Sequence, residues 1–236
     1  MQTLRLIPDP AGLAQAARLL AQGHCVAIPT ETVYGLAADA RDGAAVAGIY
    51  QAKGRPSFNP LIVHVADLSA AQAIADLPPQ ALTLARAFWP GALTLVVPLR
   101  ADAGIAGLVT AGLDTIGIRV PAHPVAQALL RASGAPLAAP SANASGRISP
   151  TTADHVLHPD GGLDGRIAAV LDGGACPVGV ESTIIGWQDG RPTLLRPGGI
   201  PAEAIAAALG EPLAAHHADP SAPNAPGQLS SHYAPQ

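Results

Sequence analysis

The sequence predicts an α/β fold, a twisted mixed β-sheet flanked by helices, with a tail at the C-terminal end. Three observations carry that expectation. Short β-branched runs alternate with alanine-rich stretches of helical periodicity over roughly the first two hundred residues. The chain is 49% hydrophobic but only 3% aromatic, so its core must be built mainly from Ala, Val, Leu and Ile. Beyond Gly210 the composition turns to Pro, Ala, Ser and His. Residues 1–209 are therefore expected to form the α/β domain, and residues 210–236 a Pro/Ala-rich linker.

Leu4–Ile7 reads as the first strand. Ala11–Gln22 places Leu13, Ala16, Ala17 and Leu20 on one helical face, and Gly23 stops it. Cys25–Ile28 is a second strand, ended by Pro29, and Gly43–Ala52 a second helix. Leu61–Val65 is apolar and β-branched, hence a strand. Helices follow at Ala70–Ala75 and Pro79–Phe88, with strands at Leu93–Pro98 and Thr115–Val120. Val125–Ala132 and Ala153–Leu157 read as helices, the latter opened by the cap-like Thr151 and Thr152. Val170–Leu171, Thr183–Trp187 and Thr193–Leu195 complete the strands, and Ala202–Leu209 closes the domain as a helix.

The formal net charge of −4, with 13% charged residues, argues against broad non-specific binding to nucleic acid, which needs a wide basic surface. A small positive pocket remains compatible with it, because local field and net charge are separate quantities. Cys25 and Cys176 lack metal-ligand spacing and read as buried free thiols in a reducing compartment. The N-terminus has no basic region followed by an apolar stretch, and no apolar run is long enough to span a bilayer. The expected setting is the cytoplasm, with no membrane partner. No set of protein ligands suggests a metal site.

Lys53 is the only lysine among 13 basic residues, the rest being arginines. It opens the segment Lys53-Gly54-Arg55-Pro56-Ser57-Phe58-Asn59-Pro60. If that segment is extended, Lys53, Arg55, Ser57 and Asn59 project to one side as an anion-binding edge. Further polar clusters fall next to the strands: Pro29-Thr30-Glu31-Thr32, Ala139-Pro140-Ser141-Ala142-Asn143 running on to Ser149, Glu181-Ser182-Thr183, and Arg196-Pro197-Gly198-Gly199. Ligands of open α/β sheets commonly bind in crevices at strand ends. Arg119 alternates with Ile116 and Ile118, so it points away from them, into a cleft where its fork could clamp a carboxylate. His64 closes an apolar strand. Neither a Walker segment nor a GxGxxG turn is present, so any nucleotide must be held by another device, such as the hydroxyl-rich loop around Ser141.

Pro29-Thr30-Glu31-Thr32-Val33-Tyr34-Gly35-Leu36, Lys53-x-Arg55 followed by Ser57-x-Asn59, Ala139-Pro140-Ser141-Ala142-Asn143, and Glu181-Ser182-Thr183 with the later Arg196-Pro197-Gly198 together resemble the YrdC/Sua5 family. The match is collinear from about Leu4 to Arg196. It implies a YrdC-like catalytic domain acting as a nucleotidyltransferase. The reaction implied takes L-threonine, bicarbonate (or CO2) and ATP to threonylcarbamoyl-AMP and pyrophosphate, the first step of tRNA t6A modification at position 37. Mg2+ would arrive with the ATP. Lys53, Arg55, Asn59, Ser141, Asn143 and Ser149 would meet the phosphates, with Lys53 and Arg55 the catalytic pair. Thr115 and Ala139 would help hold the nucleotide, while Arg196 and Tyr233 would close over it. Thr32, His64, Arg119 and Ser182 would hold threonine. His64 is the one weak candidate for a general base. The resemblance also implies downstream tRNA threonylcarbamoyl-transfer proteins and a weak tRNA or double-stranded RNA contact. The Pro226-Gly227 to His232-Tyr233-Ala234-Pro235 stretch resembles the linker of Sua5-type members, which folds over the active site and leads to a further small domain. Ending at Gln236, the chain reads as a form without that domain. A carbamoyl-adenylate-forming carbamoyltransferase and an RNA-binding module are the competing readings.

Overall fold

The computed structural model describes residues 2–160 and 162–214. Among them, ten strands form one mixed sheet in the order β1-β8-β2-β3-β7-β4-β6-β5-β9-β10. The strands are β1 (Leu4–Leu6), β2 (Val26–Ile28), β3 (Gly35–Asp39), β4 (Ile62–His64), β5 (Leu93–Pro98), β6 (Thr115–Arg119), β7 (Leu137–Ala138), β8 (Ala169–Leu171), β9 (Thr183–Gln188) and β10 (Arg191–Arg196). The helices are α1 (Pro10–Ala21), α2 (Gly43–Lys53), α3 (Leu68–Ile74), α4 (Pro79–Phe88), α5 (Gly107–Thr110), α6 (Pro124–Ser133), α7 (Ala153–Val156) and α8 (Ala202–Leu209). The expected fold class holds. Sequence periodicity missed β3, whose Gly-Leu-Ala-Ala-Asp composition has little β-propensity. It also missed the single turn α5.

The two faces of the sheet are covered unequally. One set of alternating side chains, including Val63, Leu95, Ile118 and Ile185, joins residues of α2, α3, α4, α5, α7 and α8 in the main core. On the opposite face, α1 and α6 pack over Leu6, Val26, Ile28, Ala37 and Leu137. They cover only the half of the sheet made by β1, β8, β2, β3 and β7. On the other half, the same face carries a buried four-residue apolar cluster, Ile62, Val96, Ile184 and Leu195, which no helix among the described residues joins.

That half of the sheet positions the polar side chains. β4 pairs in parallel with β6, and the register sets His64 beside Arg119. The period-two alternation that sends Ile116 and Ile118 into the main core sends Arg119 to the opposite face, as expected. The strand residues that line the site, Gly35, Ile62, His64, Arg119 and Arg196, are each the first or last of their strand, and adjoining loops supply the rest.

Candidate active site

Two cavities adjoin at this side of the molecule. The inner one is lined by Thr32, His64, Arg119, Ser182 and Arg196 among others. The outer one is lined by Lys53, Arg55, Asn59, Ser141, Asn143 and Arg147. Arg55 and Ser141 line both, so the cavities are continuous. The inner measures about 50 Å3 and the outer about 270 Å3, so only the outer has room for a bulky polyanion.

In the inner cavity, Arg119 is 4% exposed and held from three directions. Its Nε donates to Gly91 O (3.1 Å) and its Nη1 to Thr32 Oγ1 (2.9 Å). Its Nη2 stands 2.7 Å from Glu31 Oε1, yet no N–H points along that line, so the ion pair is close without an aligned hydrogen bond. That edge of the fork keeps donor directions for a ligand carboxylate. Glu31 is itself anchored by Ala122 N–H, which donates to Oε2 at 3.0 Å. Burial, then the neighbouring Arg119 charge, lowers the His64 imidazole to about 3. His64 is therefore neutral at ordinary pH, and its buried Nδ1 has no partner. So weak a base cannot readily take a proton from an ammonium group. Arg196 donates through Nε and Nη2 to Ser182 O (3.1 and 2.8 Å) and through Nη2 to Ser182 Oγ (3.0 Å).

In the outer cavity, Lys53 ends α2, and Gly54 caps that helix in the left-handed conformation (φ 59°) that glycine adopts without strain. The extended Lys53–Asn59 edge is thus corrected. The segment after Gly54 is a turn: Asn59 is buried and Ser57 faces solvent. The Lys53 ammonium reaches across to the facing loop and donates to Ser141 O and Asn143 O, both at 2.5 Å. Ser145 N–H donates back to Lys53 O at 2.8 Å. Burial, then the like charge of Arg55, holds the Lys53 pKa well below its ordinary value. Arg55 is drawn down to about 10, first by burial, with Arg196 adding to it and Tyr50 opposing.

Asn143 spends its amide N–H groups on Ala144 O (2.9 Å) and Arg147 O (2.7 Å), which leaves Oδ1 as a buried acceptor without a partner. That atom suits a hydroxyl or a metal-bound water on a nucleotide better than a phosphate oxygen. Ser149 Oγ donates to Glu181 Oε1 at 2.6 Å, and Glu181 lines the inner cavity.

The structure thus brings together Thr32, His64, Arg119, Ser182, Arg196, Ala139 and Ser141 around one cavity, and Lys53, Arg55, Asn59 and Asn143 around the other. Thr115, at the start of β6, lines neither. Tyr233 and all of the linker beyond Ala214 lie outside the described residues. Glu31 and Glu181 were not among the expected site residues. They are two of only four glutamates in the chain, and that scarcity was the available signal.

The Sua5/YciO/YrdC family model, described as telomere recombination, matches residues 18–198. The chain belongs to this family. A Bacillus subtilis relative named threonylcarbamoyl-AMP synthase is 53% identical over 96% of this chain, and a Pyrococcus abyssi relative of the same name is 46% identical over 93%. The chain spans 65% and 64% of those relatives' lengths. A crystal structure of P. abyssi Sua5 complexed with L-threonine superposes with a TM-score of 0.89 at 42% identity, covering 97% of this chain and 68% of that one. Escherichia coli YciO, 24% identical with a TM-score of 0.73, shares the fold. Among the described residues, no helix is long and apolar enough to cross a membrane.

Proposed function

We propose that this chain is a threonylcarbamoyl-AMP synthase, consuming L-threonine, bicarbonate or CO2, and ATP carried with Mg2+, and releasing pyrophosphate. The observation that carries the reading is the junction of the two cavities. A small cavity with a carboxylate-clamping arginine opens, through shared Arg55 and Ser141, into a larger one walled by cations. An amino acid held at Arg119 would present its nitrogen toward phosphates held at Lys53 and Arg55. The relatives' names and the threonine complex of the P. abyssi protein support the choice of amino acid.

In the reaction, threonine's ammonium loses a proton and the amine nitrogen bonds the carbon of CO2. A second proton leaves, giving an N-carboxylate. One of its oxygens then bonds the α-phosphorus of ATP as the bond to the pyrophosphate oxygen breaks. Two anionic groups must approach, and the clustered charges of Lys53, Arg55 and Arg196 screen that repulsion. Holding the reactants in line supplies several kcal/mol of the barrier, on the order known for oriented reactions. Asn59, Ser141, Asn143, Ser149, Thr115 and Ala139 hold the nucleotide in this scheme. The product passes to tRNA threonylcarbamoyl-transfer proteins.

Incubation with ATP, Mg2+, bicarbonate and one amino acid at a time, assayed for pyrophosphate, tests the proposal. Release confined to L-threonine is expected. Release that requires carbamoyl phosphate would replace this reading with carbamoyl transfer. Salt-sensitive RNA retention without any release would leave a binding module.

A further inference from the structure

Thr94, in β5, belongs to none of the motifs singled out in the sequence. It is fully buried, on the strand face opposite Leu93, Leu95 and Val97 of the main core. Its Oγ1 lies 2.7 Å from Ser182 Oγ, and from that contact alone either atom could donate. Donor and acceptor accounting decides the direction. Ser182 Oγ accepts from Arg196 Nη2 at 3.0 Å. Were Ser182 also to donate to Thr94, the Thr94 proton would have no acceptor, because among the described residues its side chain bonds to Ser182 alone. A buried hydroxyl proton left unpaired is costly. The satisfied arrangement has Thr94 donating to Ser182. Both lone pairs of Ser182 Oγ are then filled, one by Arg196 and one by Thr94. The Ser182 proton has one direction left, into the inner cavity that Ser182 lines.

We propose that Thr94 is a positioning residue that fixes the Ser182 hydroxyl as a hydrogen-bond donor toward the inner cavity, so that this point of the site selects an oxygen acceptor of the ligand, a carboxylate. Its O–H also polarises that of Ser182, making the donor stronger. The inference rests on the amino-acid reading above and gives it a direction. The carboxylate would bind between Ser182 and Arg119, with both as donors.

A double-mutant cycle read by calorimetric L-threonine binding, without ATP, tests this. Thr94→Val should weaken binding about fivefold and Ser182→Ala about thirtyfold, the scale of losing one weak and one charge-assisted hydrogen bond. Thr94→Ser should recover affinity to within about twofold of wild type. In the Ser182→Ala background, Thr94→Val should cost nothing further, because Thr94 acts only through Ser182. Wild-type affinity in Thr94→Val, or penalties that multiply in the double variant, would overturn the positioning role while leaving the synthase reading intact. A wild-type protein that neither binds L-threonine nor releases pyrophosphate would overturn both. Should Thr94→Val fail to fold, Thr94→Cys, a weak donor of similar size, takes its place in the cycle.

Discussion

In the inner cavity the Arg119 guanidinium faces Glu31 at 2.7 Å, whereas the outer cavity sets Lys53 beside Arg55 with no carboxylate among its lining residues. In the first, carboxylates offset part of the arginine charge, which suits a small zwitterionic ligand such as an amino acid. The second is a cationic cluster without a carboxylate among the described residues that line it, and both pKa values fall because burial and like charge make the protonated forms expensive. Such a cluster is stabilised by a polyanion and by little else. The contrast shows two chemistries set side by side. Strand ends supply the subsite with mixed charge, and a helix end with a facing loop supplies the cationic one.

The sharpest way to break this division is Lys53→Met. Removing one donor aimed at developing phosphate charge should cut pyrophosphate release about 100-fold or more, with L-threonine affinity unchanged. A parallel loss of threonine binding would show that the cavities are not separate. Because a bound anion favours the protonated form, pyrophosphate binding should raise the depressed Lys53 pKa, seen as proton uptake across an alkaline pH series in calorimetry that Lys53→Met lacks.

Next in size is Glu31→Gln, which leaves the buried Arg119 charge without its counterion. A destabilisation of about 3 kcal/mol is expected in urea unfolding. A much smaller loss would mean that Arg119 finds compensation elsewhere.

His64 gives a pH signature. The folded imidazole stays neutral down to about 3. The unfolded chain takes its proton near 6.5, so between these values the unfolded state binds more protons and stability falls as pH drops. The slope from this group approaches about 1.4 kcal/mol per pH unit, and His64→Gln should flatten it. An unchanged acid limb would place the sensitivity in another group. The smallest effect belongs to Asp154→Asn, on the exposed Arg5–Asp154 pair away from both cavities. It should shift stability by under about 1 kcal/mol and leave turnover alone.

Much of this division was legible in the sequence. Alternation placed Arg119 opposite Ile116 and Ile118, and the scarcity of lysine marked Lys53. Period-two spacing nevertheless misread the Lys53–Asn59 segment, because Lys53 is the last residue of α2 and the chain turns sharply at Gly54. The pairing of His64 with Arg119 depends on strands far apart in the chain, and no local pattern announces a register. Thr94 escaped for the opposite reason. One threonine in Leu-Thr-Leu-Val-Val is an unremarked β-former until Ser182 is set against it.

Two hydrogen bonds from the Lys53 ammonium to the loop at 141–145, with a third accepted by its backbone carbonyl, make that residue a clasp as well as a charge. An ammonium has three N–H groups, and two of them hold the loop carbonyls, so a single one remains for a guest. The ordering of the loop is therefore met during folding, not at the moment of encounter. A nucleotide arriving there would find the distance between the two walls already set, and less of its affinity would be lost to immobilising them.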